Sequence, residues 1–181
     1  MPKNPLASVG LLAAIVAAVA ALSPMQALSA TTAGTTSSLA SLRAGILVDL
    51  NNIRVSHGLV PLKLNAALSA AASQHTSEML ADGYFAHNSY DGTAFWKRIQ
   101  TFYPSAQYKY WSVGENLLWT GGPLDAQGAL EMWMASPEHR ANILTPNWRD
   151  IGIAVQYESN APGAFDDYDV TVAATDFGTR N

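Results

Sequence analysis

The residues best suited to metal binding or proton transfer in this sequence are two histidines and one glutamate: His87, His139 and Glu115. Neutral imidazole nitrogens and carboxylate oxygens are ligands for zinc, and both groups transfer protons near neutral pH. The three residues lie far apart along the chain, so their spacing alone gives no support for a shared site. Such a site requires a fold that brings three distant segments together.

His139 has the most informative local sequence, in the stretch WMASPEHRANIL. Ser136 is a typical helix N-cap, Pro137 suits the first helical position, and Glu138 favours the positive end of a helix. His139 then falls in the first turn, where the helix dipole disfavours protonation. A neutral imidazole there can ligate a metal or accept a proton. Glu138 is interpreted as a partner of the dipole.

His87 and Glu115 each allow two interpretations. His87 follows two aromatic residues in the loop YFAHNSYDG, which either presents the imidazole or leaves it as an ordinary surface histidine. Glu115 lies among apolar residues in VGENLLW. It is either buried with a partner, because an unpaired buried carboxylate is costly, or partly exposed at a strand edge.

The other two histidines are predicted to be structural. His57 precedes Gly58 at a helix end, where an imidazole favours the exposed carbonyls. His75 shares a helical face with Leu68, Ala72 and Met79 and is interpreted as a core residue, although that face can also line a cleft.

Composition narrows the functional classes. The chain has no cysteine, which excludes disulfides, thiol nucleophiles and thiolate metal sites. Its net charge is -4, which disfavours nucleic acid and anionic membranes as partners. The sequence contains no G-x-S-x-G, H-E-x-x-H or phosphate-binding glycine motif.

The N-terminus predicts a secreted or cell-envelope protein. Lys3 precedes an uncharged apolar run from Leu6 to Leu22, and small residues follow up to Ala30. This order is typical of a signal peptide over residues 1–30, and a retained membrane anchor is the alternative. Residues 31–38 are interpreted as a polar linker and residues 39–181 as one domain. After cleavage no stable membrane insertion is expected.

Helices are predicted early in the domain and strands late. The patterns predict helices over 39–57, 66–82, 93–103 and 126–135, a short turn over 137–144, and strands over 150–158 and 169–178. Residues 108–119 are predicted to be extended, with a break at Gly114. The class is α+β, with helices packed on a small, mostly antiparallel sheet.

Several fragments in order resemble the CAP superfamily, also called the SCP domain. They are VSHGLVPLKLNAALSAAASQHTSEML, GYFAHNS, VGENLLW, WMASPEHRANILTPNWRDIGIAV and VTVAATDFG. The family includes cysteine-rich secretory proteins, venom antigens, plant pathogenesis-related proteins and secreted bacterial proteins, and the form HRANIL is similar to the bacterial branch. The resemblance implies a three-layer α-β-α sandwich.

The resemblance also implies a cleft with two histidines and two acids, which in some members binds zinc. By motif, His87 and His139 match the histidines and Glu115 the first acid, so the implied metal ligands are His87, His139 and Glu115. The second acid falls at Ser136, which is not an acid. Glu131 lies on another helical face and Glu138 on the following turn, so an incomplete set is expected.

Three functions are compatible with these observations. The favoured one is a binding module whose cleft takes zinc and a small apolar or peptide ligand, or a cell-envelope component. Trp96, Trp111, Trp119 and Trp133 either line apolar surface for a lipid or belong to the core. The second function is a zinc-dependent hydrolase acting on peptide, ester or cell-wall substrates, with Glu115 as general base. The third is a structural or interaction domain with a vestigial cleft.

Overall fold

The structure, a computed structural model, describes residues 24–122 and 124–181, with side chains from residue 38 onward. No helix within these ranges has the length and apolar character needed to cross a membrane. The elements, in chain order, are α1 (Pro24–Ser56), β1 (Lys63–Leu64), α2 (Ala66–Asp82), α3 (Phe95–Phe102), β2 (Trp111–Thr120), α4 (Ala126–Ala135), α5 (Pro137–Ile143), β3 (Asp150–Ala161) and β4 (Tyr168–Arg180). A 3₁₀ turn at Gly163–Phe165 interrupts the connection between β3 and β4.

The four strands form one sheet in the order β1-β3-β4-β2. β3 and β4 are antiparallel, β4 and β2 are antiparallel, and only the two-residue β1 runs parallel to its neighbour β3. The prediction of a small, mostly antiparallel sheet is therefore confirmed.

Helices cover both faces of this sheet because its strands alternate apolar side chains between two cores. Ile151, Ile153 and Phe177 face one core together with residues of α1, α4 and α5. Ala154 and Val172 face the opposite core, which α2 covers. α3 packs beside α2 on that second face. The α+β class and the three-layer α-β-α sandwich are thus both confirmed.

Capping residues define the ends of α2 and α4, as the sequence predicted. The Asn65 side chain accepts hydrogen bonds from the first main-chain N–H groups of α2, and Gly83 ends that helix in the left-handed region with φ +66°. Asp125 caps α4 by accepting from the N–H of Gly128 at 2.7 Å. These boundaries agree with the prediction because each depends on a local contact.

α1 begins earlier than the sequence suggested. It starts at Pro24, so the main chain of residues 31–38, interpreted as a polar linker, is helical. Residues 1–23 of the expected signal peptide lie outside the described residues. The division into signal peptide, linker and domain stays a prediction.

The predicted break at Gly114 is wrong. β2 runs through this residue without interruption, and Gly114 pairs with Phe177 of β4. A glycine is present for steric reasons: an added Cβ would lie 2.6 Å from Oδ1 of Asn142 and 2.9 Å from the Trp148 ring. Gly114 therefore allows close packing against the sheet rather than a turn.

Gly152 provides a test of how closely α2 lies on the sheet. A Cβ at this position of β3 would overlap the main chain of Leu68 and Ser69, which cannot move without shifting the helix. Gly152→Ala is expected to lower the free energy of unfolding by about 1–3 kcal/mol or more, measured by urea denaturation. Gly121→Ala, where a Cβ would meet open space, is the control and should change it by less than about 0.5 kcal/mol. Equal losses in both variants would contradict this account of the packing.

Candidate functional site

A buried network on α2 holds the loop that follows this helix. His75 is fully buried, and its Nε2–H donates to the carbonyl of Ala86 at 2.9 Å. Glu78 accepts from the hydroxyl of Tyr84 at 2.7 Å and from the N–H of Tyr90 at 3.2 Å. Burial lowers the pKa of His75, which favours its neutral form. The interpretation of His75 as a core residue is confirmed, and its role is to fix the loop over 84–90.

His87 extends from that loop with its ring held by Glu115. The Nδ1–H of His87 donates to Oε1 of Glu115 at 2.8 Å, while the imidazole stays half exposed. Because a carboxylate only accepts hydrogen bonds, this contact places the proton on Nδ1. In the neutral ring the lone pair is then on Nε2.

Glu115 has a second partner, Arg98 of α3. Nη2 of Arg98 donates to Oε2 of Glu115, and Nη1 donates to the main-chain carbonyl of His87 at 2.9 Å. The Glu115 and Arg98 side chains are only 1% and 3% exposed. The interpretation of Glu115 as buried with a partner is therefore correct. Arg98 compensates its charge and fixes the main chain and the ring of His87 at the same time.

A second carboxyl group, Asp176 of β4, lies beside Glu115. The two residues are directly opposite in the β2–β4 ladder. Tyr110 and Asn181 exchange both hydrogen bonds, so Glu115 and Asp176 form a pair without main-chain hydrogen bonds, in which side chains come closest. Among the described residues, no donor reaches either oxygen of Asp176. Burial and the charge of Glu115 raise its pKa well above the usual range, and the protonated group can donate to Glu115.

His139 lies in the first turn of α5, as predicted. Its N–H donates to the Ser136 hydroxyl at 3.4 Å, and Pro137 occupies the first helical position. The pKa of His139 is lowered, first by burial and then by the proximity of His87, while Glu138 opposes this shift. The predicted direction agrees with the structure, but its causes are burial and His87 rather than the helix end.

An amide network joins α5 to β2. Nδ2 of Asn116 donates to the carbonyl of His139 at 3.1 Å, and Nδ2 of Asn142 donates to Oδ1 of Asn116 at 2.9 Å. The Trp148 indole donates to the carbonyl of Asn142 at 2.9 Å. These bonds fix the distance between His139 and the strand that carries Glu115.

The three predicted site residues line one cleft of about 300 Å³. The lining consists of His87, Phe95, Gly114, Glu115, Asn116, Glu138, His139 and Asn142. Within the described part of the chain, however, no group of three or more His, Cys, Asp or Glu side chains is arranged to hold a metal ion. Both carboxylate oxygens of Glu115 already accept hydrogen bonds, one from His87 and one from Arg98. The assignment of His87, Glu115 and His139 as metal ligands stays a prediction.

The second acid expected from the resemblance is absent at its predicted place. Ser136 caps α5, and Glu131 is exposed on α4, where it accepts from Gln127 at 2.8 Å. Glu138 does line the cleft, and its Oε2 accepts from the Ser136 hydroxyl at 3.1 Å. Glu138 is therefore more than a dipole partner, since it brings an exposed carboxylate to the same wall as His139.

The remaining predicted residues are not part of the cleft lining. His57 donates from Nδ1 to the carbonyl of Ile53 at 2.8 Å, in agreement with its assignment to the helix end. Trp133 is a core residue, while Trp111 and Trp119 are partly buried against the sheet's second face. Trp96 is 42% exposed.

Sequence reasoning missed Arg98 and Asp176. Both have a charged side chain in phase with apolar neighbours: Arg98 shares a helical face with Phe95 and Phe102, and Asp176 lies on the same face of its strand as Val172. A charge in such a position indicates a buried ionic partner, since it is otherwise too costly. The sequence pattern therefore indicates that Arg98 and Asp176 are buried, but it does not identify the residues that they contact.

The family follows from comparison of this chain with known proteins. The model of the cysteine-rich secretory protein family, CAP, matches residues 47–172. The chain belongs to the CAP family. The matched range contains His87, Glu115 and His139 together with the helices and strands that position them.

Two relatives in Bacillus subtilis (strain 168) support the assignment. The uncharacterized protein YkwD is 32% identical over 108 residues, and the uncharacterized membrane protein YlbC is 29% identical over 110 residues. These alignments cover 59% and 60% of this chain but only 40% and 30% of the relatives. This chain thus spans less than half the length of either relative.

Solved structures show the same fold. An outer surface protein from Borrelia burgdorferi has a TM-score of 0.59 at 18% identity, covering 75% of this chain and 90% of its own. An extracellular SCP-domain protein from Bacillus anthracis has a TM-score of 0.56 at 24% identity, covering 73% of this chain and 38% of its own. At these identities the likeness concerns the fold alone.

Arg98 is expected to be the residue whose loss is most costly in the site. Arg98→Gln leaves the Glu115 carboxylate buried without its cation, so we expect the free energy of unfolding to fall by about 3–5 kcal/mol in thermal or urea denaturation. Lys97→Gln, on the exposed side of the same helix, is the matched control and should be nearly neutral. A loss no larger than that of the control would show that Arg98 does not compensate Glu115.

Asp176 gives a prediction with a defined pH dependence. A carboxyl whose pKa is raised by folding contributes most stability below its unfolded pKa of about 4, and that contribution is lost as the pH rises toward its folded pKa. Asp176→Asn has no proton to lose, so its stability relative to the parent should increase from about pH 4 toward neutral. Chemical denaturation of both proteins across this range measures the difference. A variant whose stability relative to the parent stays constant or falls as the pH rises would contradict a raised pKa.

Proposed function

We propose that this CAP domain is an extracytoplasmic binding module and that the cleft between the 84–92 loop and α5 is its ligand site. The observation that carries the proposal is that two imidazoles line one cleft and that the contacts around both residues hold them there. The ring of His87 is oriented by Glu115, and the main chain of His139 is held by the cap and the amide network of α5. Groups held in this way are preorganised for a ligand.

The donor set fits a divalent metal ion only in part. Nε2 of His87 carries the lone pair in the neutral ring, and burial of His139 favours the neutral form that ligates metals. A carboxylate behind the first histidine is the usual outer partner of a zinc ligand, which assigns Glu115 to orientation rather than coordination. Two imidazoles would hold zinc, with remaining positions left to water or to the bound ligand. Such an ion would act there as a Lewis acid.

The hydrolase alternative receives less support from the contacts of Glu115. A general base must reach a water molecule in the cleft. Both oxygens of Glu115 instead accept from Arg98 or His87, and the side chain is almost entirely buried. This arrangement favours a positioning role. For a hydrolase acting on peptide, ester or cell-wall substrates, loss of turnover in Glu115→Gln would be required if Glu115 is the base. Turnover that survives this change would exclude Glu115 as the base.

The cleft lining favours a polar ligand over a lipid. Apart from Phe95, its side chains are amides, imidazoles and carboxylates. Trp133 belongs to the core and is not part of this lining. A peptide therefore suits the cleft better than a fatty acid or sterol, and a labelled sterol serves as the negative probe.

An extracytoplasmic location is part of the proposal. The apolar run of residues 6–22, followed by small residues up to Ala30, is its sequence support. Structural neighbours include an outer surface protein and an extracellular protein.

Zinc titration tests the metal part of this function. Calorimetry on the purified protein should show zinc binding that His87→Ala and His139→Ala each reduce at least about tenfold, since a two-ligand site cannot lose either one. His57→Ala, which changes a histidine outside the cleft, is the matched control and should leave the affinity unchanged. No zinc heat in the parent, or equal affinity in all three variants, would remove the metal from the proposal.

A further inference from the structure

The cleft has an unpaired strand edge as its floor. In the order β1-β3-β4-β2, β2 is an outer strand with β4 on one side. Tyr110 and Asn181 form a hydrogen-bonded pair, so the pairs that carry main-chain bonds to β4 recur at every second residue of β2. Val113 and Glu115 occupy the alternate positions, which have no main-chain hydrogen bonds to β4. Their N–H and C=O groups therefore point away from β4, toward the open side of β2.

A contact further along β2 supports this alternation. The indole of Trp133 donates to the main-chain carbonyl of Leu117 at 3.1 Å, which requires that carbonyl to point outward as well. The indole also marks one end of the open edge. Among the described residues, no side chain forms a hydrogen bond with the outward groups of Val113 or Glu115, so the open edge extends over these two residues.

This edge coincides with the cleft. Gly114 belongs to the lining, and because it has no side chain, it can contribute only main-chain atoms there. His87 and Phe95 stand on the side of α3, and His139 and Asn142 stand on the side of α5. The walls thus rise on the two faces of the sheet, and the main chain of β2 runs between them.

The charges of the cleft indicate the side chain that a ligand should bring. The carboxylate of Glu115 is compensated by Arg98. Glu138 is exposed, and the Ser136 hydroxyl holds it on the cleft wall. A lysine or arginine side chain in the cleft would complement Glu138.

We propose that the cleft binds an extended, basic peptide segment by adding it as a further strand to the outer edge of β2. The main-chain groups of Val113 and Glu115 pair with the peptide, and alternate peptide side chains enter the walls on either face. One lysine or arginine lies near Glu138. This inference rests on the binding role proposed for the cleft, and it does not require a metal.

A strand-specific variant tests the pairing. Proline at position 113 removes an outward N–H, which an edge strand tolerates, whereas alanine keeps that N–H and removes side-chain volume. The probe is an N-acetylated peptide of alternating threonine and valine with a central lysine. In fluorescence anisotropy, the parent and Val113→Ala should bind it, and Val113→Pro should bind about tenfold more weakly. The same peptide N-methylated on alternate residues should bind weakly to all three.

Two further measurements separate the possible outcomes. Replacing the peptide lysine by glutamine should weaken binding to the parent but not to Glu138→Gln. Amide hydrogen exchange at Val113 and Glu115 should slow when the lysine peptide is added, which tests the pairing in the parent even if Val113→Pro does not fold. Equal binding of the N-methylated peptide, or unchanged exchange at both amides, would overturn the proposal.

Zinc titration of the same variants distinguishes this inference from the function proposed above. Peptide binding without zinc binding would support strand addition and would contradict only the metal part of the proposed function. Zinc binding without peptide binding overturns strand addition and leaves the metal site. If sedimentation shows dimers of the free parent that Val113→Pro abolishes, a second copy of the chain occupies the edge, and the peptide proposal is overturned.

Discussion

The buried carboxylate of Glu115 is the constraint on which the site depends. Removing its charge from water is costly, and only partners placed with good geometry offset that cost. Arg98 supplies the opposite charge from α3, and His87 supplies a donor from the preceding loop. The loop, α3 and β2 must therefore meet at one point. Arg98 also accounts for the position of the loop, because the same guanidinium holds the carbonyl of His87.

The hydrogen-bonding phase of the ladder between β2 and β4 has two consequences for the cleft. Residues without main-chain bonds between the strands bring their side chains close together, which sets Asp176 against Glu115 and, together with burial, raises the pKa of Asp176. On β2, these residues direct their main-chain N–H and C=O groups away from β4 and into the cleft. The phase thus determines both the charge arrangement behind the site and the open edge at its floor. Within this ladder, Gly114 allows Asn142 and Trp148 to lie directly on the strand.

The sequence predicts what depends on local contacts. Asn65 and Gly83 define α2, and Ser136 with Pro137 defines the start of α5, because each acts on main chain within a few residues. The approach of His87, Glu115 and His139 came from the family resemblance, since spacing carries no such information. The role of Glu115 was not predictable, because Arg98 and Asp176 reach it through tertiary packing and strand register. The break predicted at Gly114 was wrong for the same reason. A glycine is needed there because α5 and Trp148 pack against the strand, which its own sequence does not reveal.

In the proposed binding role, the arrangement of Glu115 removes the need for the second acid expected at Ser136. A site that used Glu115 as a ligand would need another carboxylate to orient His87, and the chain has none at Ser136. With Glu115 behind His87, a single carboxylate fixes the ring, while Glu138 supplies negative charge at the cleft wall. The groups left free for a ligand are then two imidazoles, one exposed carboxylate and the outward main chain of β2. In the proposed binding role, this division of roles leaves recognition to preorganised polar groups rather than to apolar surface.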